Sequence, residues 1–146
     1  MSEFVIEALT GRDYDALVDL WAAAGLPHRP RGRDTRNAIL AQMALPLCRF
    51  FGARDALGDL AGAVIVNHEG RKGWINRLAV RPGARRGGIA RALVEACEDW
   101  LQGEGIGLVA ALVEGDNEPS QRLFEACGYE RDDTLVYFRK VASPDV

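Results

Sequence analysis

Apolar residues recur at helical spacing in four stretches of the chain, and in short runs or alternation in six others. Tyr14, Leu17, Val18, Trp21 and Ala22 share one helical face up to Gly25, and Thr10 with Asp13 three residues on forms a capping box ahead of them. Ile39, Leu40, Met43 and Ala44 mark a second helix, capped by Asp34 or Thr35 and ended before Pro46. Ile89, Leu93, Val94, Cys97 and Leu101 mark a third, closed at Gly103 and Gly105. A fourth contains Leu123, Phe124 and Ala126 between a capping Asn117 and Gly128.

Strands are predicted over residues 4–9, 47–53, 60–67, 74–80, 108–113 and 129–139. The short turns at 55–59 and 69–73 imply an antiparallel meander of the second to fourth. Leu108 to Val113 is continuously apolar, as expected of a central strand covered on both faces. Ile75 lies on the opposite parity from Leu78 and Val80. Either a bulge near Asn76 and Arg77 brings all three to one face, or Ile75 faces the other side of the sheet. The order β-α-α-β-β-β-α-β-α-β predicts one mixed α/β domain over residues 1–146. Its sheet is mostly antiparallel, with a parallel crossover around the third helix.

The 146 residues, 48% hydrophobic and 27% charged, suit one compact core that needs no disulfide framework or structural metal. A formal charge of −3 supplies no field for a polyanion, which argues against nucleic acid as the main partner. Cys48, Cys97 and Cys127 are odd in number, widely spaced and set among apolar neighbours. They are expected to be small buried side chains in a reducing cytoplasm, not metal ligands. No apolar run is long enough to span a bilayer, and Met1-Ser2-Glu3-Phe4 does not open a secretory leader.

The most informative segment is Leu78-Ala79-Val80-Arg81-Pro82-Gly83-Ala84-Arg85-Arg86-Gly87-Gly88-Ile89-Ala90, a strand running through a glycine-bearing loop into a helix. Backbone N–H groups at such a helix start converge on an anion, and the helix dipole adds partial positive charge there. Gly87 and Gly88 let an anion approach the backbone, while Arg85 and Arg86 add charge, so a phosphate or pyrophosphate fits. Gly88 is followed by Ile89-Ala90-Arg91, which excludes a P-loop, and the Gly-x-Gly-x-x-Gly of a dinucleotide fold is absent.

Arg85-Arg86-Gly87-Gly88-Ile89-Ala90 resembles the signature of the GNAT superfamily of acyl-coenzyme A-dependent N-acyltransferases: Gln or Arg, two residues, Gly, one residue, Gly or Ala. Asn117 to Tyr129, with Leu123-Phe124 and Gly128-Tyr129, is similar to a second motif of that family. Leu20-Trp21, Arg29-Pro30 and Gly128-Tyr129 are similar to its small bacterial YpeA-type members. The resemblance covers essentially the whole chain. It implies a fold whose central strands splay apart, and transfer of an acetyl group from acetyl-CoA directly to an amine of a small molecule or protein. The alternatives are a coenzyme A-binding module without transfer activity and a protein N-terminal acetyltransferase. By the same resemblance, Leu78, Ala79 and Val80 would pair with pantetheine, and the amides of Arg86, Gly87, Gly88, Ile89 and Ala90, with Arg85, would bind the pyrophosphate. Asn117, Ser120 and Phe124 would flank the cofactor.

Phe124 departs from the family pattern, since members commonly place there a tyrosine that protonates the departing thiolate. Tyr137, Tyr129 and Ser120 are the alternative hydroxyls. Glu114, at the end of the 108–113 strand, is the best-placed carboxylate for a general base, while His68 and His28 read as surface residues. Arg29, Arg31, Arg33 and Arg36 form the densest charge run. Arg29 and Arg31 are the candidates for binding an acceptor that carries a carboxylate or phosphate. No metal is expected, and the sheet edges leave monomer and homodimer both open.

Overall fold

A computed structural model describes residues 3–146; Met1 and Ser2, part of the N-terminal stretch read for a leader, lie outside the described residues. Five strands form one sheet in the order β1-β2-β3-β4-β5: β1 (Phe4–Ala8), β2 (Cys48–Asp55), β3 (Leu60–His68), β4 (Gly73–Val80) and β5 (Val109–Ala111). The first four pair antiparallel, and β5 runs parallel to β4 after the crossover through α3 (Ile89–Gly103). A 3-10 turn at Gly11–Asp13, where Asp13 accepts from the Thr10 amide, leads into α1 (Tyr14–Ala23). Thr35 caps α2 (Arg36–Met43), and Asn117 caps α4 (Glu118–Ala126).

The alternation along β3 sorts the core into two layers. Ala63 and Ile65 face Leu17, Leu20 and Trp21 of α1 and Ile39 of α2, while Val64 and Val66 face Leu93, Val94, Cys97 and Leu101 of α3 and Phe124 of α4. With helices on both faces, β3 is buried along nearly its whole length, which explains its unbroken apolar sequence.

Four expectations are corrected. Residues 108–113 supply a strand of only Val109–Ala111, and it lies at the sheet edge, half-buried, not at the centre. Its helix-covered face carries Val109, Ala111 and Val113, while Leu108 and Leu112 stand exposed on the other face, which is why the run is apolar without being central. Residues 129–139 form no strand; from Glu130 onward the chain is exposed and has no ladder partner among the described residues. His68 is buried, with Nε2 3.1 Å from Glu104 Oε1, Nδ1 accepting from the Gly70 amide, and its ring tilted against Trp100. Cys48 and Cys97 are buried, whereas Cys127 is only half-buried at the end of α4; all three are free thiols.

Helix α3 approaches the sheet over glycine at both ends. A Cβ on Gly62 would stand 2.7 Å from Ile89 Cγ2 and 3.1 Å from Leu93 Cδ1, and one on Gly73 would overlap Leu101 Cδ1. Gly62→Val is therefore an overpacking change. It is expected to reduce the free energy of urea unfolding by about 1–3 kcal/mol with an unchanged m-value; undiminished stability would mean that α3 is not held this closely.

Candidate active site

The pairing of β4 with β3 slips by one residue. Ile65 faces Asn76 and Ala63 faces Ala79, so Arg77 and Leu78 together oppose Val64. This is a β-bulge, and Arg77 at its crest takes a φ of 54°, in the left-handed region. The slip lets Ile75, Leu78 and Val80 all meet the α3 layer, the first of the two arrangements the parity left open. On the opposite edge β4 pairs with β5 only through Gly73, Trp74 and Ile75. From Asn76 to Val80 that edge has no strand partner among the described residues, so the two parallel strands open into a notch.

The chain leaves the notch through a tightly tied loop. The Arg81 amide donates to the Ala61 carbonyl and its Nε to the Leu60 carbonyl, a 3-10 turn spans Pro82–Ala84, and Arg85 Nε returns to the Val80 carbonyl at 3.3 Å. Arg86 (φ 71°) and Gly88 (φ 85°) then reverse the backbone into α3. The side chains of Thr35 and Asn117 cap α2 and α4, whereas no side chain caps α3. The first intrahelical acceptance is by the Gly88 carbonyl from Ala92, which leaves the amides of Ile89, Ala90 and Arg91 free to bind an external acceptor. A Cβ on Gly88 would meet nothing within 4 Å, so the backbone here faces open space.

Helix α4 lies on the same side of the sheet as α3. Asn117 Oδ1 accepts from the Ser120 amide at 3.2 Å, and Gln121 Nε2 donates to the carbonyls of Glu114 and Gly115, fixing the turn after β5. The Glu114 carboxylate is exposed. Phe124 is 7% exposed and packs edge-on against Tyr129, whose hydroxyl donates to Glu98 Oε2 at 2.7 Å. Burial first, and then Glu98, push the Tyr129 pKa far above the usual phenol value, so this hydroxyl is committed to the carboxylate. Tyr137 is 65% exposed on the C-terminal segment, and nothing in the fold brings it together with Glu114.

The loop of residues 26–35 is fastened to the bulge by Arg77 and braced internally by Asp34. Arg77 donates to the Pro27 carbonyl at 2.7 Å and lays its guanidinium 4.2 Å from the Trp21 ring centre. Asp34, 5% exposed, accepts from the Arg29 amide at 2.7 Å, while its own carbonyl accepts from the Tyr14 hydroxyl. Burial draws the Arg77 pKa down and Asp34 draws it back up. Arg36 is engaged with Asp15 at 2.9 Å and with the Tyr14 ring, which leaves Arg29 and Arg31 to line a cleft of about 110 Å³ with His28, Pro30, Pro144 and Asp145. The unusual φ of Arg77 was legible only as a parity break; Asp34 was legible only as a helix cap.

Comparison with known proteins places these features in a family. The acetyltransferase (GNAT) family model matches residues 14–129. A mycothiol acetyltransferase of Clavibacter michiganensis subsp. michiganensis (strain NCPPB 382) is 31% identical over 138 residues, 92% of this chain and 45% of that protein, so the chain spans about half its length. Acetyltransferase SG1711 of Sodalis glossinidius (strain morsitans) is 29% identical over 130 residues, 88% of each chain. Among solved structures, AAC(6')-Iy in complex with a bisubstrate analogue superposes with a TM-score of 0.81 at 19% identity, over 97% of this chain and 100% of that one. The PaiA N-acetyltransferase of Thermoplasma acidophilum in complex with coenzyme A superposes with a TM-score of 0.78 at 19% identity, over 91% and 93% of the two chains. The structural likenesses give the fold, the family match runs from the first residue of α1 to the tyrosine that closes α4, and the chain belongs to the GNAT family of acetyltransferases.

Proposed function

We propose that this chain transfers an acetyl group from acetyl-CoA directly to an amine. The observation that carries the reading is the unpaired edge of β4 over Asn76–Val80, leading within eight residues to a helix N-terminus with free amides. An extended pantetheine arm would lie against Leu78, Ala79 and Val80 as an added strand, using the backbone groups that β5 does not take. The pyrophosphate would rest on the amides of Arg86, Gly87, Gly88, Ile89 and Ala90, with Arg85 and Arg86 exposed beside it. The open space at Gly88 suits that fit. Acetyl-CoA supplies the activated thioester, and the residues of the chain hold it, keep it extended and orient its carbonyl.

Asn117 and Ser120 shape the turn beyond β5, and Phe124 walls the cleft without a proton to give. With Tyr129 held by Glu98, thiolate protonation falls to solvent or to the hydroxyl of Tyr137 or Ser120, and Glu114 is the carboxylate that would relieve the amine of its proton. Burial raises the Cys97 thiol well above its ordinary pKa, which disfavours a thiolate nucleophile and an acyl-enzyme. Among the described residues no helix is long and apolar enough to cross a membrane, and no group of three metal-ligating side chains is found. The three free thiols suit a reducing cytoplasm. Thiol release from acetyl-CoA with a panel of amines tests transfer. Coenzyme A binding without release would make the chain a binding module, the reading that Phe124 and the occupied Tyr129 hydroxyl favour.

The acceptor is argued from Arg29 and Arg31. Aminoglycosides, the compounds after which several structural relatives are named, are polycations, and the guanidinium groups of Arg29 and Arg31 that line the cleft would repel them. A carboxylate- or phosphate-bearing amine fits the cleft better.

Two measurements follow from these assignments. Gly88→Val is expected to weaken coenzyme A binding at least tenfold by calorimetry. Gly58→Val, at an equal φ of 84° in open space on the β2–β3 turn, is expected to show the same backbone strain with unchanged affinity. Equal affinities in the two variants would remove the phosphate assignment. Arg29→Ala with Arg31→Ala is expected to raise the acceptor KM about tenfold or more and leave the acetyl-CoA KM unaltered, with activity of the parent protein suppressed by salt. A defect confined to acetyl-CoA would instead give the loop to the 3′-phosphate of the cofactor.

A further inference from the structure

Asparagine is uncommon inside strands, yet β3 and β4 each carry one where they approach the notch. Ile65 pairs with Asn76 and Asn67 with Trp74, so the two asparagines are diagonal neighbours on the face that Ala63 and Ile65 turn toward α1 and α2. Asn76 Nδ2 donates to Asn67 Oδ1 at 3.1 Å and leans toward the Trp74 carbonyl at 3.5 Å. Both hydrogens of that amide are thereby directed. Its Oδ1 receives no hydrogen bond among the described residues, and the side chain is half-buried, not covered. The pair therefore presents one fixed, uncharged acceptor oxygen.

Two features set the place of that oxygen. Asn76 is the first residue of the free β4 edge, because the ladder with β5 ends at Ile75. The next residue, Arg77, holds the Pro27 carbonyl and so brings the loop of residues 26–35 to the same point. On the acetyl-transfer reading the pyrophosphate lies at the start of α3, beyond the C-terminal end of β4, and pantetheine runs back along Val80, Ala79 and Leu78. The thioester end of the arm then arrives at Asn76, between the cofactor strand and the acceptor loop. An attacking amine needs its lone pair aimed at the carbonyl carbon and its N–H bonds satisfied elsewhere. An amide oxygen accepts one N–H without adding charge. A carboxylate in the same place would favour the ammonium form, which has no lone pair to give.

We propose, as an inference that rests on the acetyl-transfer reading, that Asn76 is a catalytic residue: its Oδ1 accepts a hydrogen bond from the acceptor amine and turns the nitrogen toward the thioester. Asn67 is a positioning residue that fixes the Asn76 amide. In the step, the nitrogen lone pair forms the C–N bond and the C–S bond breaks with its electron pair on sulfur. The amine gives one proton to Glu114 or water, and the thiolate takes one up.

Steady-state kinetics with the most active amine of the panel test the assignment. Asn76→Ala is expected to lower kcat/KM for the acceptor about tenfold or more, with coenzyme A affinity by calorimetry unchanged. Asn76→Asp, nearly isosteric, is expected to move the acid limb of the pH profile of kcat to higher pH by about half a unit or more, since the added carboxylate stabilises the bound ammonium. Asn67→Ala is expected to lower kcat/KM about threefold or more in the parent and to have no further effect in Asn76→Ala, because Asn67 acts only through its neighbour. Unaltered acceptor kinetics in Asn76→Ala overturn the proposal, as does a defect confined to acetyl-CoA or an unmoved acid limb in Asn76→Asp. Additive effects of the two alanine variants would deny Asn67 its positioning role. A parent chain that binds coenzyme A but transfers to no amine removes the acetyl-transfer reading itself, and the assignment falls with it.

Discussion

Two strands that leave a common ladder can stay paired only while their twists match. In this protein β4 acquires an extra residue at Arg77 and β5 does not. The bulge bends β4 and sharpens its local twist, and the parallel ladder with β5 ends at Ile75, two residues before Arg77. Everything assigned to the cofactor side follows from that parting. It frees the backbone of residues 76–80, turns Ile75, Leu78 and Val80 toward one core layer, and aims the strand at the loop that opens α3.

The same residue serves the other side of the cleft. A left-handed φ at a residue with a long side chain costs on the order of 1 kcal/mol or more. At Arg77 the guanidinium contacts with Trp21 and Pro27 bring compensating interactions. The bulge therefore fastens the loop of residues 26–35 to the strand that carries the free edge, so that the loop proposed for the acceptor and the backbone proposed for the cofactor meet at one position.

The sequence disclosed most of this because its strongest signals are local. The break in parity among Ile75, Leu78 and Val80 located the bulge, the glycines and arginines at 85–88 located the open helix start, and the apolar spacing of α1 to α4 located the helices. What stayed hidden depends on distant partners. Leu108 to Val113 is apolar enough for a central strand, and only the count of neighbours on each side reveals an edge. His68 beside a turn gives no hint of Glu104, which is 36 residues away and brought close by α3. Residues 134–139 have strand composition, yet among the described residues the fold gives them no ladder partner. At the candidate site the uncapped helix start was legible and the commitment of Tyr129 to Glu98 was not, since it arises only through the docking of α4 on α3.

Gly62 and Gly73 clamp α3 at two points along its length, against Ile89 and Leu93 near its start and Leu101 near its end. A helix held at both ends on surfaces without side chains has little freedom to slide or tilt. The proposed donor half of the cleft thus behaves as a rigid die, fixed with the sheet. The loop of residues 26–35, tied down by a handful of hydrogen bonds around Arg77 and Asp34, is the replaceable half. Under the proposed assignment, divergence toward new acceptors is free to rewrite that loop, while changes along the α3 contact must arrive in compensating pairs.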